Sequence, residues 1–181
     1  ALIDVAACPD GRYAALAPGG RVLVSPDNGA SWESHRIETE EAAQAITCDP
    51  RNRIWVVGSF ASVFTSADGG RSWQVDSSQE DVIYTNIQFV NENVAYVAGE
   101  FGTVLRSDDG GGSWEPLPVI PDDFYPQYMY FRDADTGWLA GLGGSILHTT
   151  DGGRTWARQP SRPSAPIYGL TEVGGDMYAA G

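Results

Sequence analysis

The sequence predicts an all-β fold, a β-propeller of four-stranded antiparallel blades, and three observations predict it. A short turn string recurs as SPDNGASW, SADGGRSW, SDDGGGSW and TTDGGRTW, ending at Trp32, Trp73, Trp114 and Trp156. The tryptophans stand 41, 41 and 42 residues apart, a period at which repeat architectures reuse one supersecondary unit. Each period holds four short, β-prone apolar runs and no helical spacing of apolar residues, which fits a propeller blade and not a helical solenoid.

The strands of a blade are numbered here from the central channel outward. The first is an apolar run that opens each unit: LIDVAAC, AQAITC, IYTNIQFV and QYMYF, with IYGLTEV near the end. The second and third form a hairpin about a glycine-rich turn, as in NRIWVVGSFASVFTS, NVAYVAGEFGTVLRS and TGWLAGLGGSILHT. An aromatic residue and a glycine recur in the second strand, at Trp55 and Gly58, Tyr96 and Gly99, Trp138 and Gly141. The first unit has Ala14 and Ala17 at those places. The turn string then joins strand three to a short strand four, such as WQVDS. Residues 1–181 read as a single propeller domain, with blades at about 1–41, 42–82, 83–124 and 125–165 and a partial blade at 166–181.

Composition agrees with a packed domain. Of 181 residues 42% are apolar and six are tryptophan, enough to build a substantial core. The basic residues are eleven arginines against 24 acids, a formal charge of −13. That field repels nucleic-acid phosphates and anionic lipid, so neither is an expected partner. No apolar run reaches the roughly 20 residues that span a bilayer, so direct membrane insertion is not expected. The first residues carry neither a basic n-region nor an initiating methionine, and read as the start of a processed or trimmed chain. Cys8 and Cys48 have no metal-ligand spacing and read as buried free thiols. Both fall near the end of a first strand, which leaves them as potential neighbours, but a bridge does not follow from the sequence. His35 and His148 are isolated, and no metal or cofactor site is expected.

The turn string has a mechanical reading. Its Asp can accept hydrogen bonds from backbone groups just ahead, its second Gly supplies a positive φ, and its Trp folds back as an apolar plug. These residues are Asp27 and Trp32, Asp68 and Trp73, Asp109 and Trp114, Asp151 and Trp156. The pattern S/T-x-D-x-G-x-S/T-W resembles the Asp box, or bacterial neuraminidase repeat. In the families that carry it, this box joins the outer two strands of a blade on the face away from the binding site. The resemblance implies a structural role here.

Site chemistry separates the families that carry such boxes. A sialidase-like enzyme would need an arginine triad, for which few of the eleven arginines are left, and a Phe/Tyr-Arg-Ile-Pro string, which is absent. A xyloglucanase-like hydrolase would need two carboxylates facing each other across a cleft, and no diagnostic string marks them. The longer phrase in NVAYVAGEFGTVLRSDDGGGSW and DADTGWLAGLGGSILHTTDGGRTW is similar to that of the photosystem II stability/assembly factor family and its bacterial relatives. This resemblance implies a non-catalytic, protein-binding scaffold for an unassembled membrane-protein partner, an exported location, and a seven-bladed ring. The alternative is a glycoside hydrolase or glycan-binding propeller.

A partner is expected on the upper face, formed by the loops that join strands two and three and those that lead from strand four to the next blade. Those loops hold Glu38, Glu40, Glu41, Asp76, Glu80, Asp81, Asp122 and Asp123, with Phe60, Glu100, Phe101 and Tyr125. Such an acidic ring with aromatic edges suits a basic or amphipathic peptide. The last unit stops after its second strand, so the chain is expected to be part of a longer propeller. If it were complete, its open blade edges would invite self-association.

Overall fold

In the computed structural model, residues 1–39, 41–161 and 166–181 are described. Each repeat folds into an antiparallel meander. Blade 1 comprises β1 (Asp4–Ala7), β2 (Tyr13–Ala17), β3 (Arg21–Ser25) and β4 (Glu33–Arg36). Blade 2 comprises β5 (Ala43–Cys48), β6 (Ile54–Gly58), β7 (Ser62–Ser66) and β8 (Gln74–Ser77). Blade 3 comprises β9 (Tyr84–Phe89), β10 (Ala95–Gly99), β11 (Thr103–Ser107) and β12 (Glu115–Pro116). Blade 4 comprises β13 (Pro126–Phe131), β14 (Gly137–Gly141), β15 (Ile146–Thr149) and β16 (Ala157–Gln159), and β17 (Gly169–Val173) with β18 (Asp176–Ala180) begins a fifth. The inner strands β1, β5, β9, β13 and β17 pack successively side by side. The fold is a propeller that is open, not closed into a ring.

The core is a series of seams between blades. Second strands such as IWVVG and AYVAG are buried along their whole length, and their two-residue side-chain period sends alternate residues to opposite seams. Ile54 and Val56 pack toward blade 1, while Trp55 and Val57 pack toward blade 3 with Val97 and Ile87. Tyr96 and Leu139 meet in the next seam, where the Tyr96 and Phe131 rings stack with centroids 3.6 Å apart. Polar side chains cross the same seams. Asp4 accepts from the backbone N–H of Ile46 at 2.9 Å, and Gln88 both donates to the Phe131 carbonyl and accepts from its N–H.

Arginines join the lower ends of the blades. Arg12 donates to the carbonyl of Asn52, Arg53 to that of Gly110 and Arg106 to that of Ala134, at 2.7–2.9 Å. Arg132 reaches Glu172 at 2.8 Å. Among the described residues one arginine of the earlier blade therefore bridges each of the four seams.

The four turn strings share one hydrogen-bond pattern. The leading Ser or Thr hydroxyl donates to the box Asp and accepts from the second Gly N–H, as Ser66 does with Asp68 and Gly70. The Asp in turn accepts from the backbone N–H and the hydroxyl of the residue before the Trp, at 2.6–2.9 Å in all four. Trp73, Trp114 and Trp156 each pack into the seam with the preceding blade. Trp32 departs from the expected plug and is 43% exposed, since among the described residues no blade packs on that side of blade 1. The reading of Cys8 and Cys48 as free thiols is also corrected. They form a disulfide between blades 1 and 2, with Cα atoms 5.0 Å apart. The repeat brings equivalent ends of adjacent inner strands together, and with one residue of each strand to be matched this pairing required the inter-blade geometry.

Candidate partner-binding face

The upper face is built from hairpin turns between strands two and three and from the longer inter-blade loops. The turns of blades 1, 2 and 3 place two consecutive residues at positive φ: Gly19 and Gly20, Phe60 and Ala61, Phe101 and Gly102. This is the geometry of tight hairpins whose twist matches the flanking strands, and it favours Gly or Asn. Blade 1 uses the expected glycines. Blades 2 and 3 instead hold phenylalanine in the left-handed region, at φ 56° and 57°, where a bulky side chain costs roughly 1–3 kcal/mol. Both rings are exposed, and so is Leu142 in the corresponding turn of blade 4.

The predicted acids divide into distinct environments. Glu38 is exposed between β4 and β5, and Glu40 lies outside the described residues. Glu41 is half-buried and accepts a hydrogen bond from the buried hydroxyl of Ser62. Glu100 accepts from the backbone N–H of Ile83 at 3.2 Å, so part of its hydrogen-bonding capacity serves the loop. Glu80, Asp81, Asp122 and Asp123 are exposed, the last two at positive φ.

Two hollows gather some of these residues. Asp122, Asp123 and Tyr125 line one of about 260 Å³ with Leu142 and Arg158, whose guanidinium donates to Ser145 at 2.6 Å. Burial, and then the charge of Glu100, push the Tyr125 hydroxyl above its usual pKa. Glu80 lines the other, between blades 2 and 3, together with Asp76, Tyr84 and Trp114. Asp76 belongs to the same acidic loops, whereas Tyr84 and Trp114 were not among the predicted contacts. Tyr84 was hidden within an apolar strand, and the pairing of Trp114 with Asp76 depends on how two blades sit together.

The inner strands border an open polar groove of about 510 Å³. Gln44, Asn86, Gln88 and Gln127 give it an amide lining, with Tyr128 and Tyr130 to one side. Among the described residues that line it, Asp4 is the one carboxylate, and both its oxygens accept from backbone N–H groups. Among the described residues no cluster of His, Cys, Asp or Glu could hold a metal ion, and no helix is long and apolar enough to cross a membrane.

A family model described as photosynthesis system II assembly factor YCF48 matches residues 2–108 and again residues 81–176. No curated protein matches the chain. Among solved structures, YCF48 bound to D1 peptide is similar with a TM-score of 0.69 and 22% identity, over 82% of this chain and 50% of that one. YCF48 from Cyanidioschyzon merolae gives a TM-score of 0.73 and 15% identity, over 93% of this chain and 62% of that one. The GH74 enzyme of Niastella koreensis gives 0.70 and 20%, over 98% of this chain and 27% of that one. At such identities the likeness is one of fold, which hosts both binding proteins and enzymes. The chain spans between half and two thirds of the length of the two YCF48 structures.

Proposed function

Because the chain belongs to the photosynthesis system II assembly factor YCF48 family, we propose that it is a non-catalytic scaffold whose upper face holds a peptide segment of a protein partner, an unassembled membrane protein being the class of partner that fits. The observation that carries this reading is the series Phe60, Phe101 and Leu142, exposed apolar side chains at corresponding turns of three successive blades. Half-exposed rings on turns at positive φ are unfavourable for the chain alone, and the surrounding Glu38, Glu80, Asp81, Glu100, Asp122 and Asp123 favour a basic or amphipathic segment. Glu41 and Tyr125 complete the proposed face. The solved YCF48 structure with a D1 peptide supports the view that this propeller type can hold a peptide. The disulfide fits an oxidising, exported compartment.

The second reading is glycan binding or glycoside hydrolysis, favoured by the fold shared with a GH74 enzyme. Hydrolysis would call for two carboxylates about 5 to 9.5 Å apart across a cleft, whereas among the described residues that line the inner groove the one carboxylate, Asp4, is engaged by backbone. Capture from detergent-solubilised membranes of the source organism discriminates the two. The wild-type chain should retain a membrane-protein partner that a Phe60→Ser/Phe101→Ser/Leu142→Ser variant does not. Glycoside turnover without any retained partner would sink the scaffold reading.

A further inference from the structure

The cavity between blades 2 and 3 has a chemistry of its own. It measures about 300 Å³. It is lined by the apolar Val63 of β7 and Leu105 of β11 and the aromatic Trp114 and Tyr84, all at least half-buried, and by the exposed Asp76 and Glu80. A second hollow of about 270 Å³ shares Val63, Asp76 and Trp114 and continues toward Arg53.

Arg53 does not neutralise Asp76 or Glu80. Its guanidinium is held by Asp49 at 2.6 Å and lies over the Trp55 ring at 4.8 Å, while it also donates to Gly110. Among the described residues neither Asp76 nor Glu80 has an ion pair. Tyr84 is 7% exposed, and burial followed by the charges of Glu80 and Asp76 pushes its hydroxyl above the usual pKa. Two carboxylates beside a buried phenol repel one another's charge and gain from a nearby cation. The Trp114 ring is already oriented by its edge-on contact with Trp55.

We infer that this inter-blade cavity seats an arginine side chain of the bound partner. The aliphatic stem lies on Val63 and Leu105, and the planar guanidinium stacks on Trp114 between Asp76 and Glu80. Arginine fits better than lysine because its flat, weakly hydrated head combines stacking with fork-like hydrogen bonding to carboxylates. This assignment rests on the scaffold reading and adds to it a residue that the partner must present.

The test uses the intact chain and small probes, so it does not depend on knowing the partner. Nα-acetyl-arginine amide is titrated into ¹⁵N-labelled protein while the Trp114 indole N–H signal is followed, with the citrulline and lysine amides as comparisons. The arginine probe should shift that signal saturably, with a Kd on the order of 1–10 mM, as suits a single side chain. The uncharged citrulline probe should leave it in place, and the lysine probe should bind several-fold more weakly. An Asp76→Asn/Glu80→Gln variant should lose at least about tenfold in affinity, a difference of about 1.4 kcal/mol, with its other indole signals unmoved. No saturable shift, an equal response to citrulline or lysine, or an undiminished response in the variant would overturn the assignment. Partner capture with no arginine response would reject the pocket alone, and arginine binding without partner capture would reject the scaffold reading instead.

Discussion

The indole of Trp114 meets that of Trp55 edge-on, with ring centroids 6.4 Å apart and planes at 79°, and this contact fastens the turn of blade 3 to the second strand of blade 2. Gly111 of the same turn lies so close to the Trp55 ring that a methyl group there would overlap it, and its φ of 86° disfavours any other residue. Turn and seam are therefore one structural unit. The box closes its own loop by hydrogen bonds and fastens its blade to the preceding one by its Trp.

Truncating the box tryptophans should reveal this dependence on the neighbouring blade. Trp73→Ala, Trp114→Ala and Trp156→Ala remove rings packed in seams, and each should cost about 2–4 kcal/mol in denaturant unfolding. Trp32→Ala removes a ring already 43% exposed and should cost less than about 1.5 kcal/mol. Equal losses at all four positions would show that the tryptophans act within their own turns and not across seams.

Acid should weaken the boxes together. Hydroxyl and backbone donors favour the charged form of Asp27, Asp68, Asp109 and Asp151, and hold all four below the ordinary value of 3.8, Asp109 and Asp151 at about 2. A carboxylate with a depressed native pKa stabilises the fold above its unfolded value, because the unfolded chain takes up the proton first. The contribution is thus complete above about pH 4 and fades as pH falls through about 2. Urea midpoints measured from pH 5 to pH 2 should fall across that window. An Asp109→Asn/Asp151→Asn variant should be weaker at pH 5 and fall less steeply, and a parallel fall would exclude these groups as its source.

Reduction should loosen the join between blades 1 and 2. The Cys8–Cys48 bond spans a sequence separation of 40 residues, for which chain-entropy reasoning gives a stabilisation of about 4 kcal/mol, an upper figure. A Cys8→Ser/Cys48→Ser variant should unfold at lower denaturant and should no longer respond to reductant. Wild-type protein that is indifferent to reductant would mean that the bond contributes little to stability.

Fold and site differ in how far they could be read from the sequence. The blades were legible because Asp, Gly, hydroxyl and Trp recur together at fixed places within each repeat, and because the apolar runs between them have strand periodicity. The exposure of Trp32 was not legible, since its sequence context matches that of Trp73 and only the neighbour differs. The Cys8–Cys48 bond was hidden for a related reason, because it joins two repeats that are similar in sequence but whose closeness is set by packing. The acids of the upper face were found as charges. Whether a given acid serves a loop, as Glu100 does through Ile83, or stands free beside Trp114, as Asp76 does, is decided by hydrogen bonds and seams that no single repeat encodes.

Replacing Phe101 should separate stability from binding. Its φ of 57° precedes Gly102 at 69°, so Phe101→Asn would create the Asn-Gly pair that this tight hairpin prefers. Asn tolerates the left-handed region, and the ring lost is 55% exposed, so the variant should gain roughly 0.5–1 kcal/mol. Phe60→Asn with Ala61→Gly should act alike in blade 2, where both residues are strained. If these rings hold the partner, the stabilised variants should retain less of it in the capture assay, since an apolar anchor has become polar. Greater stability with undiminished capture would remove Phe60 and Phe101 from the binding face and leave their strained turns without a function. A loss of stability would show that the rings support the loops from the outside, and the backbone strain would then be compensated by packing within the chain.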